Sequence, residues 1–194
     1  MNDSKNSNLP NLYVALLHYP VVNKNGDVIA SAVTNLDLHD IARAAKTYGI
    51  KSFYVVTPLA DQKALVEKIV SHWTEGLGAR YNPTRREALK LIRTEETLEK
   101  VYDDIRNSCS VSPKTVVTSA KNRFKSISYG ELRGLLKNGK PYLLLMGTAW
   151  GLSDGFIAGV DYVLAPIKGT ADYNHLSVRS ATAVILDRLL ANET

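Results

Sequence analysis

The sequence predicts an α/β fold, an open and mostly parallel sheet covered by helices on both faces. Short, almost uninterrupted apolar runs at residues 12–17, 52–57, 115–118, 142–145 and 161–165 alternate with longer segments whose apolar residues recur at helical spacing. A strand lacking polar alternation is one buried on both faces. Strand, helix, strand in succession also demands a parallel crossover, since a tight hairpin leaves no room for the helix.

Residues 1–10, rich in Asn and Ser with little to bury, are expected to be a flexible tail ahead of a single domain spanning 11–194. Residues 12–17 form the first strand. Residues 20–27 read as a loop turning at Asn25-Gly26, and 28–33 as a short extended return. Over 37–48, Leu38, Ile41, Ala42 and Ala45 share one helical face, and Gly49 supplies the stop. Residues 52–57 are a strand closed by Pro58. The helix over 61–76 repeats Leu65, Val66, Ile69, Val70 and Trp73 before Gly76 and Gly78. Residues 84–92 and 95–106 read as one broken helix or two short ones. A strand at 115–118 and a helix at 128–136, stopped by Gly139, lead to the strands at 142–145 and 161–165. The final helix, capped by Asn174 or Ser177, carries Val178, Ala181, Ala183, Val184, Ile185, Leu186, Leu189 and Leu190.

A chain of 194 residues with 45% hydrophobic content is long enough for one substantial core. The single cysteine, Cys109, excludes an intramolecular disulfide, and no charged-then-apolar leader precedes Leu12, so the expected compartment is the reducing cytoplasm. No apolar run approaches the ~20 residues needed to span a bilayer. His18, His39, His72 and His175 have no metal-ligand spacing with one another or with Cys109, and no metal is expected. The formal charge of +5 favours a polyanionic partner. Arg80, Arg85 and Arg86 cluster around a Gly/Pro turn with Tyr81 and Asn82, and Lys114, Lys121, Arg123 and Lys125 flank the strand at 115–118. Taken singly these are ordinary solvated charges; as a group they fit an RNA-facing side. Trp73 reads as core rather than as a platform for base stacking.

Three strand-end loops follow the last three strands, at 118–121, 147–152 and 165–174. Open α/β sheets place ligands at such ends, where main-chain groups meet a small molecule. No Gly-x-Gly-x-x-Gly follows the first strand, and neither the Gly-x-x-x-x-Gly-Lys-Ser/Thr loop nor a Gly-x-Ser-x-Gly elbow occurs, which argues against dinucleotides, phosphate-loop nucleotides and serine hydrolysis. On spacing alone, Gly147 and Gly151 are turn residues.

Met146-Gly147-Thr148-Ala149-Trp150-Gly151-Leu152 after one strand, with Asn174-His175-Leu176-Ser177-Val178 opening the last helix, resembles the SPOUT superfamily of RNA methyltransferases. Within it, the chain is similar to the bacterial RNA methyltransferase family related to the tRNA guanine-N1 methyltransferase, and the likeness runs from about Leu12 onward. The resemblance implies a C-terminal trefoil knot, S-adenosylmethionine held in the knot loops, a tRNA or rRNA substrate and a homodimer whose partner completes the site. Neither periodicity nor composition reveals a knot. The cofactor residues it implies are Thr118, Ser119, Met146, Gly147, Thr148, Trp150, Gly151, Leu152, Leu164, Pro166, Ile167, Leu176 and Val178. Residues 34–43 are similar to the SPOUT motif in which an Asn-rich turn opens a helix and an arginine two turns in points towards the target nucleotide. Arg43 aligns with that arginine, Asp37 stands where many relatives carry Asn, and Arg179 is expected to support charge nearby. The plainer alternatives are that Asp37 caps the helix and that Arg43 pairs with Asp37 or Asp40 on the surface. Two other classes stay open: an RNA-binding knot protein without turnover, separated by adenosylhomocysteine calorimetry, and a nucleotide-binding α/β protein without a knot, separated by the backbone path.

Overall fold

The computed structural model describes residues 9–121, 125–171 and 173–191. Most of the predicted tail, together with Arg123, lies outside the described residues. Leu9 lies against Gly49, where an added Cβ would come within 2.6 Å of its Cδ2.

In chain order, the first strand β1 (Leu12–Leu17) leads into a small antiparallel hairpin, β2 (Val21–Val22) with β3 (Val28–Ile29). Helix α1 (Asn35–Thr47) then crosses to β4 (Phe53–Val56). Helices α2 (Ala60–Thr74), α3 (Leu77–Tyr81) and α4 (Pro83–Leu89) precede β5 (Ile92–Glu95), and α5 (Leu98–Cys109) returns to β6 (Lys114–Val117). The last third runs α6 (Tyr129–Leu136), β7 (Tyr142–Gly147), α7 (Asp154–Ala158), β8 (Tyr162–Val163) and α8 (Val178–Leu190). Six strands form one sheet in the order β5-β4-β1-β7-β6-β8, with every neighbouring pair parallel.

The apolar runs of β1, β4, β6 and β7 are buried on both faces, as their lack of alternation requires, whereas the run at 161–165 yields only the short edge strand β8, whose two residues are half-buried. Along β1, Leu12, Val14 and Leu16 face a core shared with α1, α2, α4, α6 and α8. Tyr13, Ala15 and Leu17 face a second core completed by Val101 and Ile105 of α5, Leu152 and Ile157. Register aligns the functional ends. Leu17 pairs with Gly147 and Val117 with Leu145, so β1, β7 and β6 stop together at one edge of the sheet.

Four expectations need correction. Residues 92–95, placed in or between helices, are the edge strand β5, where only Ile92 is buried. An edge strand needs only one apolar contact to the core, so polar Arg93, Thr94 and Glu95 left no strand pattern to read. The helix α7 was not anticipated; Ser153 caps it. The expected helix over 61–76 ends at Thr74, and Gly76 precedes the separate α3. Finally, α1 begins earlier than its apolar face suggests, because Thr34 and not Asp37 is the N-cap, its hydroxyl accepting from Asp37 N.

Candidate active site

The loop after β7 is a compact turn tied down on two sides. Thr148 N donates to Leu17 O at 3.3 Å and Gly151 N to Thr148 O at 2.9 Å, while Trp150 N and Val22 N donate to Val22 O and Gly151 O at 3.1 and 2.9 Å. Ala149 and Gly151 take positive φ, +50° and +95°, a conformation that glycine adopts freely and other residues rarely. Gly147 is required for a different reason. A Cβ there would sit 2.9 Å from Leu152 Cγ and 3.1 Å from Leu152 N, so the turn folds back over a position with no room for a side chain. Leu152 is buried beneath it and Trp150 is exposed.

The other two predicted loops converge on the same end of the sheet. Thr118 Oγ1 donates to Leu145 O and contacts Met146 Sδ, both at 3.2 Å, and Ser119 Oγ accepts from Lys121 N. Leu164 N donates to Val117 O, while Ile127 N and Ala165 N tie residues 127 and 163–165 together. Asn174 Nδ2 reaches Ala120 O at 2.8 Å, which joins the third loop to the first. Asn174 is therefore committed to the loop, and Ser177 caps α8. Leu164 and Pro166 are buried, Ile167 and Val178 half-buried, and Leu176 exposed. Residues 118–120, 146–152 and 164–167 carry no charged side chain.

His18, which the sequence offered only as a metal candidate without partners, turns out to belong to this site. It is the residue after β1 and is fully buried. Its Nδ1 lies 3.0 Å from Ser31 Oγ, Ser31 Oγ lies 2.5 Å from Thr148 Oγ1, and Thr148 Oγ1 donates to Leu17 O at 3.0 Å. The available signal was a polar residue directly after an unbroken apolar strand. Burial pushes its pKa from 6.5 down to about 4, against the charge of Asp37, which favours the protonated ring. A proton thus binds the unfolded chain more readily between these two values, and stability falls as pH drops through that window. Wild type should lose about 2 kcal/mol more than His18→Asn between pH 7 and pH 5, read by denaturant melts at both pH values. Equal losses would show that the ring does not titrate on unfolding.

At the entry to α1, Asp37 is buried and accepts from the Thr34 hydroxyl at 2.6 Å. Arg179, from the first turn of α8, contacts it at 3.4 Å through Nη1 and contacts Asp40 at 3.4 Å through Nε. The partner of both acids is therefore Arg179, and no ion pair joins Arg43 to either among the described residues. Arg43 instead lines a cleft of about 280 Å³ with Lys46, Thr47, Asn82, Thr84, Arg85 and Ala88. This cleft shares no lining residue with the three loops. Arg85 stacks 4.5 Å from the Trp73 ring, which packs on the core and meets His39 and His72 edge-on. Burial and then Arg85 lower the pKa of His39. Arg80 and Arg86 line a second cleft, of about 450 Å³, with Thr74, Glu75, Ala79 and Pro83. Hence the three predicted RNA-binding arginines are divided between two adjoining clefts around the α3–α4 turn.

Among the described residues no group of three or more His, Cys, Asp or Glu is placed to hold a metal ion. No described helix is long and apolar enough to cross a membrane.

This fold is shared with solved methyltransferases. A probable methylase family protein from Haemophilus influenzae superposes with TM-score 0.58 at 18% identity, over 93% of this chain and 65% of that one. The SpoU methyltransferase AviRb from Streptomyces viridochromogenes, crystallised with AdoMet, gives 0.54 at 18% identity over 93% and 57%. At that identity the likeness is one of fold, that of the SPOUT methyltransferases. The sequence itself is more specific: residues 11–191 match the model of a SAM-dependent RNA methyltransferase family, and the chain belongs to that family. It is 43% identical over 182 residues to a tRNA (guanine-N(1)-)-methyltransferase of Oleidesulfovibrio alaskensis, covering 94% of this chain but 42% of that protein. It is 39% identical over 182 residues to an uncharacterized protein of Aquifex aeolicus, covering 93% and 89%. The chain thus spans less than half the length of the tRNA methyltransferase it matches.

Proposed function

We propose that this chain transfers a methyl group from S-adenosylmethionine to a nucleotide of tRNA or rRNA. The observation that carries the proposal is the convergence at the carboxyl ends of β6, β7 and β8 of three small-residue loops whose first residues, 118–120, 146–152 and 164–167, are uncharged, the middle one folded over Gly147. Their chemistry suits the cofactor. Leu164, Pro166 and Ile167 offer an apolar wall to an adenine ring, and Thr118, Ser119, Thr148 and the main chain offer hydrogen bonds to ribose and amino-acid groups. The absence of Lys and Arg from residues 146–152 and 164–167 spares a cationic sulfonium any repulsion at close range. Met146, Gly147, Trp150, Gly151, Leu152, Leu176 and Val178 complete the proposed cofactor set. When bound, S-adenosylmethionine supplies an activated methyl on its sulfonium, so the chain's own work is to orient the reactants and exclude water.

Arg43 is assigned to the target nucleotide, where its guanidinium stabilises negative charge, and Arg179 to a supporting role through Asp37 and Asp40. Because the Arg43 cleft and the loops share no lining residue, the assignment includes a homodimer in which one protomer's arginine serves its partner's loops. It also includes a C-terminal trefoil knot. The pairing of residue 127 with 163–165 and the Asn174–Ala120 hydrogen bond, between segments distant in sequence, support that path.

Calorimetry with S-adenosylhomocysteine should give saturable binding, and RNA nucleosides from a deletion strain should lack one methylated species on mass spectrometry. A folded protein that binds no S-adenosylhomocysteine would sink the proposal. RNA binding should depend on the two arginine clefts. Replacing Arg80, Arg85 and Arg86 together by alanine should flatten the slope of log K against log salt by roughly 0.7–0.9 for each phosphate no longer neutralised. An unaltered slope would place these arginines away from the RNA.

A further inference from the structure

We propose that His18 is a positioning residue for the glycine loop, a neutral imidazole that acts through Ser31 to fix the Thr148 hydroxyl and with it the turn at 147–152. This rests on the assignment of that turn to the cofactor. The direction of each proton follows from one carbonyl. Leu17 O only accepts, so Thr148 Oγ1 directs its proton there. Ser31 must then donate to Thr148 across their 2.5 Å separation, which leaves Ser31 Oγ as an acceptor towards His18. His18 therefore carries its proton on Nδ1 and donates it to Ser31.

The remaining nitrogen shows what this arrangement forgoes. Nε2 becomes a bare lone pair, fully buried, with no hydrogen-bond partner among the described residues. Buried polar atoms are normally satisfied, and an apolar residue would fill the same volume without leaving one orphaned. His18 is also clamped by its main chain: His18 N donates to Val56 O and Ser31 N to His18 O, both within 2.9 Å. One residue thus links the end of β1, the approach to α1 and the loop after β7. Ser31 lies three residues before Thr34, the cap whose hydroxyl holds Asp37, itself in contact with Arg179. Through Ser31 the cofactor loop is joined to the segment assigned to the target nucleotide.

The test compares His18→Asn, whose amide nitrogen falls near Nδ1 and keeps the donor, with His18→Gln, whose amide falls near Nε2 and does not. Nitrogen NMR of the wild-type full chain at pH 7 should show the Nδ1–H tautomer. His18→Gln should weaken S-adenosylhomocysteine binding about tenfold, as expected for the removal of one hydrogen bond, and should speed amide exchange in residues 147–152. His18→Asn should stay within about threefold of wild type in both. Should His18→Gln fail to fold, Ser31→Ala removes the relay atom alone and should give the same faster exchange. An Nε2–H tautomer, equal losses in the Asn and Gln variants, or unchanged loop exchange in Ser31→Ala would overturn the inference. If the wild type itself binds no S-adenosylhomocysteine, the cofactor assignment fails, while tautomer and exchange still decide whether His18 positions the loop.

Discussion

Gly147→Val is expected to abolish measurable binding of S-adenosylhomocysteine, a loss of at least about a hundredfold, because the first added carbon already collides with the turn. That Cβ would lie 2.9 Å from Leu152 Cγ and 3.1 Å from Leu152 N, and the second of these is backbone that cannot rotate aside. Leu152 is packed into the core facing α5, so relief comes from opening the loop outward, away from the geometry that would hold a ligand. Gly147→Ala carries the same first carbon and should show a smaller loss in the same direction. Gly151 provides the contrast. No atom lies within 4 Å of a Cβ built there, yet φ is +95°, so valine meets backbone strain of about 1–3 kcal/mol rather than a collision. Its effect on affinity should be intermediate. Calorimetry with thermal melting separates loss of binding from loss of fold; a folded Gly147→Val protein with wild-type affinity would remove the loop from the site.

For Arg43→Ala the expected result falls on rate instead of affinity: methyl transfer reduced by about a hundredfold or more, as when a charge-stabilising donor is removed from a reacting centre, with cofactor binding little changed. The plainer account of Arg43 as a surface partner of Asp37 or Asp40 is weakened, since both acids contact Arg179. Removing an exposed surface charge costs under ~1 kcal/mol and leaves chemistry alone. Single-turnover kinetics on the RNA identified by nucleoside analysis distinguishes the two. A near wild-type rate in a folded variant would end the assignment to the target nucleotide.

What the sequence revealed and what it withheld follow from the range of the interactions involved. The strands β1, β6 and β7 were legible because burial on both faces leaves an apolar run too short for a helix and bounded by turn residues. The loops after them were legible because small residues interrupt those runs abruptly. Strand β5 was hidden by its place at the sheet edge, with three of its four side chains outside the core. Thr34 and Asp37 are both good capping residues three apart, and which one caps is settled by the tertiary contacts of Asp37. Contacts such as Arg179 with Asp37, or His18 through Ser31 with Thr148, join segments more than a hundred residues apart. No local pattern encodes them.

The place of β1 between β4 and β7 bears on how the molecule is made. Its partner on one side, β4, follows within one crossover, but on the other side Leu12 must wait for Tyr142. A chain growing from its amino end can therefore assemble β1, β4 and β5 early, with the far edge of β1 left as a row of unpaired amides and carbonyls. Pairings of such long sequence separation are slow to form, because loop closure precedes any compensating contact. The half-sheet is consequently the state most open to intermolecular pairing, and the loops at 118–121, 147–152 and 165–174 come into being only as β7 seals that edge. Under the proposed assignment of these loops, binding of the cofactor therefore follows the pairing of Leu12–Leu17 with Tyr142–Gly147 and cannot precede it.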